Sequence, residues 1–408
     1  MKTLSRELLE KLALEYGDSF YVLDSDVFEE NCLSLSTEFK KYYDNFNIAY
    51  SYKTNYTPKL VKIVNRLGGF AEVVSDMEVE VALRSGVPYE KIIWNGPVKN
   101  KEKVKEVLLN GGTVNVDSFN EFECIKTLAE DNPGYVIRIG LRCNYDVGDG
   151  VLSRFGFDVE GNDFDSVLKQ ICEKDNIKLL SLQVHFAERD PKYWTQRTTK
   201  ILDVYKKVRN EYGIVPERID LGGGIYGDMP ESLSRQLGTE PPCFKDYADK
   251  SAKLFADYFK DEENAPMLLI EPGTAVVANC MRYVCRIETI KQICNKTYAS
   301  TNGSQKNINV CGINLPMQII GGGRERKQYS DIDLVGYTCI ESDCLYSGYS
   351  GEIGIGDYVI FSNCGSYSLV MKPPFIFTNV PVIDISGDMV EIIKRAETFD
   401  DLFTTYSF

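Results

Sequence analysis

MLLIEPG at 267–273 is a short, nearly continuous apolar run that ends on a carboxylate and a turn, and RIDLGGG at 218–224 has the same build. A strand that is apolar on both faces is buried on both, as the strands of parallel sheets are. Moving outward, similar runs occur at LLSLQVHF (179–186), YVIRIG (135–140), TVNVDS (113–118), KIIWNG (91–96), GFAEVV (69–74) and NIAYSY (47–52). That makes eight candidate strands. Amphipathic stretches fill the gaps, at 58–69, 75–86, 101–112, 118–131, 165–175, 193–213 and 244–260. In the first of these, Leu60, Ile63, Val64 and Leu67 share one helical face, and Gly68-Gly69 stops the helix. In the second, Ser75 and Glu78 have capping-box spacing. Eight strands alternating strictly with helices predict a (β/α)8 TIM barrel. A doubly wound open sheet shares the alternation but seldom reaches eight repeats.

From about residue 280 the helical rhythm stops. YVCRIETIKQIC (283–294), KNINVCG (306–312), DIDLVGY (331–337) and GDYVIFSN (356–363) are separated by Gly, Asn and Ser clusters, and TNGSQK (301–306) reads as a hairpin turn. The chain therefore divides into a barrel over 27–279 and a β-sandwich or barrel-like domain from 1–26 and 280–408, with FYVLD (20–24) joining the latter.

The composition agrees with a globular protein of two domains: 408 residues, 43% hydrophobic and 26% charged. The net charge of −14 is spread along the chain, which fits solubility and argues against nucleic acid or anionic membrane as partners. The first twenty residues are charged throughout, unlike a secretory signal, and no apolar run is long enough to span a bilayer. A cytoplasmic location is expected. Twelve irregularly spaced cysteines without a C-x-x-C pair read as reduced, mostly buried thiols, and a single histidine leaves little for a metal site; none is expected.

In a barrel of this kind, residues just past the C-terminal ends of the strands face the active site. Those positions hold Lys53, Asn95, Asp117, His185, Gly222, Gly223, Gly224 and Glu271, with Arg138 inside the fifth strand. Lys53 is either a surface-loop lysine or, if desolvated, a nucleophilic amine suited to Schiff-base chemistry. The glycine triplet is either a tight turn or a cradle whose amides approach a phosphate. His185 is either a core histidine or a neutral ring stacked on an aromatic cofactor. Glu271 suits a general base or an ion-pair partner; opposite a pyridine nitrogen it would hold that nitrogen protonated.

Lysine, cradle and carboxylate together point to pyridoxal phosphate. The segments AYSYKTN, SRFGF (153–157), VHF (184–186), LGGG (221–224), EPG (271–273), CIESD (339–343) and GSY (365–367) resemble, in order, those of the fold-type III decarboxylases, the group of diaminopimelate, ornithine and arginine decarboxylases. The resemblance implies that Lys53 holds pyridoxal 5'-phosphate covalently, that His185 stacks on its ring and that Glu271 binds its pyridine nitrogen. It also implies phosphate contacts from Gly222, Gly223, Gly224 and Tyr367, with Arg154 near the cofactor. Cys339 would be the general acid, with Asp343 beside it, in a segment that reaches the partner's barrel in a homodimer. A thiol suits proton donation near neutrality. Glu271, where a racemase would present arginine, favours decarboxylation. A racemase or epimerase and a non-catalytic regulator are the alternatives.

Several positions depart from the family pattern. Thr274 replaces the arginine of EPGR, with Arg282 or Arg286 as substitutes. Ile340 replaces an acidic residue that binds the substrate's distal amine, with Glu341 next to it. NLPMQII (314–320) lacks the arginine segment for a distal carboxylate, and FAERDPKYWTQR (186–197) offers Glu188 and Arg189 in place of a Gly-Ser turn. These differences predict a specialised amino-acid or amino-acid-conjugate decarboxylase, for example on a carrier-linked substrate in siderophore or antibiotic synthesis, and not the enzyme of lysine synthesis.

Overall fold

A computed structural model describes residues 1–240, 242–308, 313–322 and 325–408. The chain forms two compact units, one of Asn31–Gly227 with Pro242–Ala275, the other of Met1–Glu30, Asp228–Pro241 and Val276–Phe408.

The first unit is a closed parallel barrel of eight strands: Phe46–Ser51, Phe70–Val73, Ile92–Trp94, Thr113–Val116, Ile137–Asn144, Ile177–Gln183, Arg218–Asp220 and Met267–Ile270. Each pairs with the next, and Leu268 opposite Phe46 closes the ring. The apolar runs are buried as their patterns predict, and Tyr50, Trp94, Ile139, Leu182, Ile219 and Leu269 are all enclosed. Two of the intervening helices share a cap. Ser75 Oγ accepts the Glu78 N–H while Glu78 accepts the Val74 N–H at 2.7 Å, and Ser118, Glu121 and Asp117 repeat the arrangement. Each glutamate reaches one residue past the cap, which ties the strand end to the helix start. The stretch 244–260 is two helices, Phe244–Lys250 and Ala252–Phe259, because the Ser251 hydroxyl donates to the Tyr247 carbonyl and the backbone turns there.

The fifth strand corrects the sequence reading. It runs 137–144 instead of 135–140, so Arg138 lies at its start, exposed, at the end of the barrel away from the strand C termini. Arg142, buried near the strand's C-terminal end, occupies the place expected for Arg138. The strand's apolar residues continue past Gly140, which the shorter apolar window missed.

The second unit is a mixed sheet. Its order is Cys344–Ile353, Lys327–Val335, Lys296–Thr301, Met281–Ile293, Phe20–Leu23, Val382–Asp384, Glu391–Lys394. Tyr358–Phe361 pairs with both Met281–Ile293 and Met317–Ile320. Phe20 and Val22 pack with Leu9, Leu12, Val284 and Ile360 in the core of this unit. TNGSQK is not the hairpin turn: Met281–Ile293 and Lys296–Thr301 are joined at Cys294-Asn295, and Gln305–Ile308 forms one helical turn. Cys294 supplies the left-handed conformation that the tight turn requires. That helical turn also displaces the start of the strand expected at 306–312, whose residues 309–312 lie outside the described residues.

Among the described residues no helix is long and apolar enough to cross a membrane, and no cluster of metal-ligating side chains occurs. The described cysteines are free thiols, but Cys124, Cys172, Cys243, Cys294 and Cys339 are exposed, so burial is not their general condition.

Candidate active site

The C-terminal ends of the barrel strands hold a connected polar network. Lys53 lies on the single 3-10 turn Tyr52–Thr54 that follows the first strand. Its ammonium donates to Glu72 Oε2 at 2.6 Å, and the Ser51 hydroxyl donates to the same oxygen. Asn95, after the third strand, donates its amide to Glu72 Oε1 at 2.9 Å and to Glu271 Oε1. Asn115 donates to Asn95 Oδ1 at 2.7 Å and so fixes which way the Asn95 amide faces. Gln183 donates to Glu271 at 3.1 Å. Lysine and terminal glutamate are thus joined through one carboxylate and one amide. Gly140 provides room for this floor, since a Cβ there would lie 1.8 Å from Asn115 Oδ1.

Three buried carboxylates, Glu72, Asp220 and Glu271, gather around one ammonium. Burial alone would raise the Glu72 carboxyl, but the Lys53 ammonium, with help from Ser51 and Asn95, brings it below the ordinary range. At Asp220 burial and then Glu72 outweigh the Gly222 N–H it accepts at 2.8 Å, Glu271 and the Lys53 ammonium, and push it up to about 7. Glu271 is raised well above the usual carboxylate range by burial and by repulsion from Asp220 and Glu72. Such a cluster stabilises an added positive N–H.

His185 follows the sixth strand with its Nδ1 3.8 Å from Glu271 Oε2. This is not an ion pair. Desolvation, then Lys53, Arg142, Arg197 and Arg189, hold the imidazole pKa well below its ordinary value, and Nδ1 accepts the Gly223 N–H at 3.0 Å. An acceptor at Nδ1 belongs to a neutral ring with its proton on Nε2.

The glycine triplet follows the seventh strand, with Gly222 and Gly224 left-handed. A Cβ on Gly222 would meet the Val184 carbonyl at 2.2 Å, on Gly223 the Glu271 carbonyl at 2.7 Å, and on Gly224 the Phe186 carbonyl at 2.9 Å. The expectation of three amides open to an anion needs correction. The Gly222 and Gly223 N–H groups are engaged by Asp220 and His185, and among the described residues Gly224 and Ile225 are the adjacent amides without a protein acceptor.

Arg154 lies over the Phe155 ring at 4.0 Å, and Arg142 over the same ring at 4.6 Å, with Asp117 3.8 Å from the Arg142 guanidinium.

The remaining expected residues belong to the β unit. Cys339, Ile340 and Glu341 are exposed in the loop between two strands of the mixed sheet. Asp343 is buried at the base of this loop. Its carboxylate accepts from Ser304 Oγ, the Gln305 N–H and Thr338 Oγ1, at 3.0, 2.7 and 2.6 Å. It therefore anchors the loop and is not a free group beside Cys339. Tyr367 has φ of 63°, and Asn363, at the start of the same loop, 59°. Such strain in non-glycine residues collects at functional sites. Arg282 and Arg286, expected as substitutes near Thr274, are committed within this unit: Arg282 donates to the Lys2 carbonyl and Arg286 pairs with Asp18.

Residues 29–278 match the family described as pyridoxal-dependent decarboxylase, pyridoxal binding domain. The chain belongs to the pyridoxal-dependent decarboxylases. It is 25% identical to diaminopimelate decarboxylase of Methanocaldococcus jannaschii, over 96% of this chain and 92% of that one. With diaminopimelate decarboxylase of Haemophilus influenzae it shares 24%, over 98% and 95%. The fold is similar to that of Helicobacter pylori diaminopimelate decarboxylase complexed with L-lysine (TM-score 0.84, 22% identity, 97% and 98% covered). It is also similar to that of Vibrio vulnificus lysine/ornithine decarboxylase complexed with cadaverine (0.76, 19%, 94% and 100%).

The protein is thus an amino-acid decarboxylase that uses pyridoxal 5'-phosphate. The residues present fit this cofactor: an excess of buried carboxylate suits a protonated pyridine nitrogen, and a cradle that any Cβ would fill suits a phosphate. Glu72, Asn115, Gln183, Asp220, Arg142 and Arg197 were not picked out from the sequence. Glu72 and Asp220 lie inside apolar strand runs, where a lone carboxylate is the available signal, since burying one is costly without a partner.

Proposed function

We propose that this decarboxylase holds pyridoxal phosphate covalently on Lys53 and releases carbon dioxide from the α-carbon of a specialised amino acid or amino-acid conjugate, carrier-linked substrates included. The Lys53–Glu72–Asn95–Glu271 network carries the reading, because it fixes the amine and the terminal carboxylate in one rigid assembly. When bound, the cofactor supplies an electron sink for the bond that breaks.

In this reading Glu271 binds the pyridine nitrogen and the neutral His185 ring packs on the cofactor face. Gly222, Gly223, Gly224 and Tyr367 surround the phosphate, with Gly224 giving an amide and the other two giving space. Arg154 lies near the cofactor. Cys339 returns the proton to the product, and Asp343 holds its loop in place. We further propose a homodimer in which the loop of one protomer enters the partner's barrel.

The substrate proposal departs from the diaminopimelate named for the relatives. It is supported by Ile340, a half-exposed apolar residue that follows the thiol and moves the nearest acid to Glu341, and by the absence of any arginine from 313 to 322. A site that offers no partner to a polar group disfavours the substrate carrying it by about 10²-fold.

The test is the visible spectrum of the purified protein before and after borohydride, followed by peptide mapping and by carbon dioxide release from a panel of amino acids and conjugates. A yellow band that reduces to an adduct on Lys53, absent in Lys53→Ala, supports the cofactor assignment. An adduct on another lysine overturns it. Release from diaminopimelate faster than from every other compound overturns the substrate proposal.

A further inference from the structure

Resting on the reading of the glycine loop as the phosphate site, we propose that Arg189 is the cationic ligand of that phosphate.

A cofactor phosphate carries close to two negative charges near neutrality, and the loop offers few donors for them. Two of the three glycine amides are engaged by Asp220 and His185, and no helix begins between residues 221 and 230 to add its dipole. A cation is needed. Arg154 stacks on the Phe155 ring; of the three arginines that act on His185 beside the glycine loop, two have other work. Arg197 is buried and donates to four carbonyls: Leu221 at 3.2 Å, Gly223 at 2.7 Å, Phe186 at 3.2 Å and Glu188 at 3.3 Å. It therefore fastens the 186–189 loop against the glycine loop. Arg142 is buried between Phe155 and Asp117.

Arg189 sits on the loop that Arg197 fastens. Its carbonyl accepts from the Tyr247 hydroxyl at 2.6 Å, and that hydroxyl accepts the N–H of Tyr226, two residues past the glycines, at 3.0 Å. Its guanidinium lies 5.5 Å from the centre of the Tyr226 ring. The neighbouring Glu188 carboxylate turns to the backbone, its Oε1 accepting the N–H groups of Arg189 and Asp190 at 2.7 and 3.1 Å. Among the described residues no carboxylate pairs with this guanidinium, which is half-exposed on the loop whose Phe186 and Glu188 carbonyls approach Gly224. A planar guanidinium with several free N–H groups suits a phosphate's paired oxygens.

The experiment titrates the full-length protein, stripped of cofactor, with pyridoxal phosphate and separately with pyridoxal, which lacks the phosphate, following absorbance. Wild type, Arg189→Ala and Arg189→Lys are compared. Arg189→Ala is expected to weaken pyridoxal phosphate by about 10- to 100-fold and leave pyridoxal unchanged, the range of one charged hydrogen-bonding group. Arg189→Lys is expected to recover part of the loss. Unchanged affinity for pyridoxal phosphate in Arg189→Ala overturns the inference, and an equal loss for pyridoxal does the same by showing only a disturbed loop. Wild type that binds the two compounds equally overturns the phosphate site itself.

Discussion

Asp220→Asn isolates the cost of crowding carboxylates in the barrel. Asp220 is fully buried and raised from an ordinary 3.8 to about 7, first by burial and then by Glu72. A carboxyl whose folded pKa is raised binds its proton more tightly when folded, so it lowers stability progressively as the pH rises from the unfolded value to the folded one. Each pH unit in that window is about 1.36 kcal/mol, which sets a ceiling of roughly 4 kcal/mol above pH 7. The asparagine retains an oxygen for the Gly222 N–H but without charge, which subtracts about 1 kcal/mol. Cofactor-free Asp220→Asn should therefore be more stable than wild type at pH 8, by at most roughly 3 kcal/mol. At pH 5.5 the carboxyl penalty is only about half as large, and the advantage shrinks with it. Thermal melts of both proteins across this pH range measure the difference. An advantage that is equal at both pH values, or absent at pH 8, refutes the argument that Asp220 is a buried carboxylate held against its preference.

Other predictions concern the network, the thiol and specificity. Asn95→Ala removes the amide shared by Glu72 and Glu271 and should cost about 2–4 kcal/mol of stability, read by the same melts; an unchanged melting temperature would show that water replaces it fully. Cys339→Ser should lower kcat by about 10²- to 10⁴-fold while cofactor binding stays as in wild type, which steady-state kinetics beside a titration will show. Ile340→Glu should raise kcat/KM for substrates with a distal ammonium, such as lysine, by roughly tenfold or more, and no gain in a competition assay would count against the substrate proposal.

The barrel was legible because its strands are buried on both faces, so each is a compact apolar run, and because a helix-cap pattern such as Ser75 with Glu78 marks an interval. The fifth strand was misplaced since Arg138 and Arg142 both interrupt apolar residues, and only the pairing with the sixth strand distinguishes the exposed arginine from the buried one. The β unit was less legible. Its strands join partners distant in sequence, as Phe20–Leu23 joins both Met281–Ile293 and Val382–Asp384. Local pattern carries no record of such partners, and the helical turn at Gln305–Ile308 went unread for the same reason.

Lys53, His185, the glycine triplet and Glu271 follow from the sequence alone, because a barrel presents the residues that end its strands and these stand at those ends. Tertiary structure decided what surrounds them. Glu72 faces Lys53, Asn95 spans two carboxylates, Arg197 ties two loops, and Asp343 anchors the loop of Cys339. Each of these relations joins residues far enough apart in the chain that only the closed barrel or the folded sheet brings their polar atoms within hydrogen-bond distance.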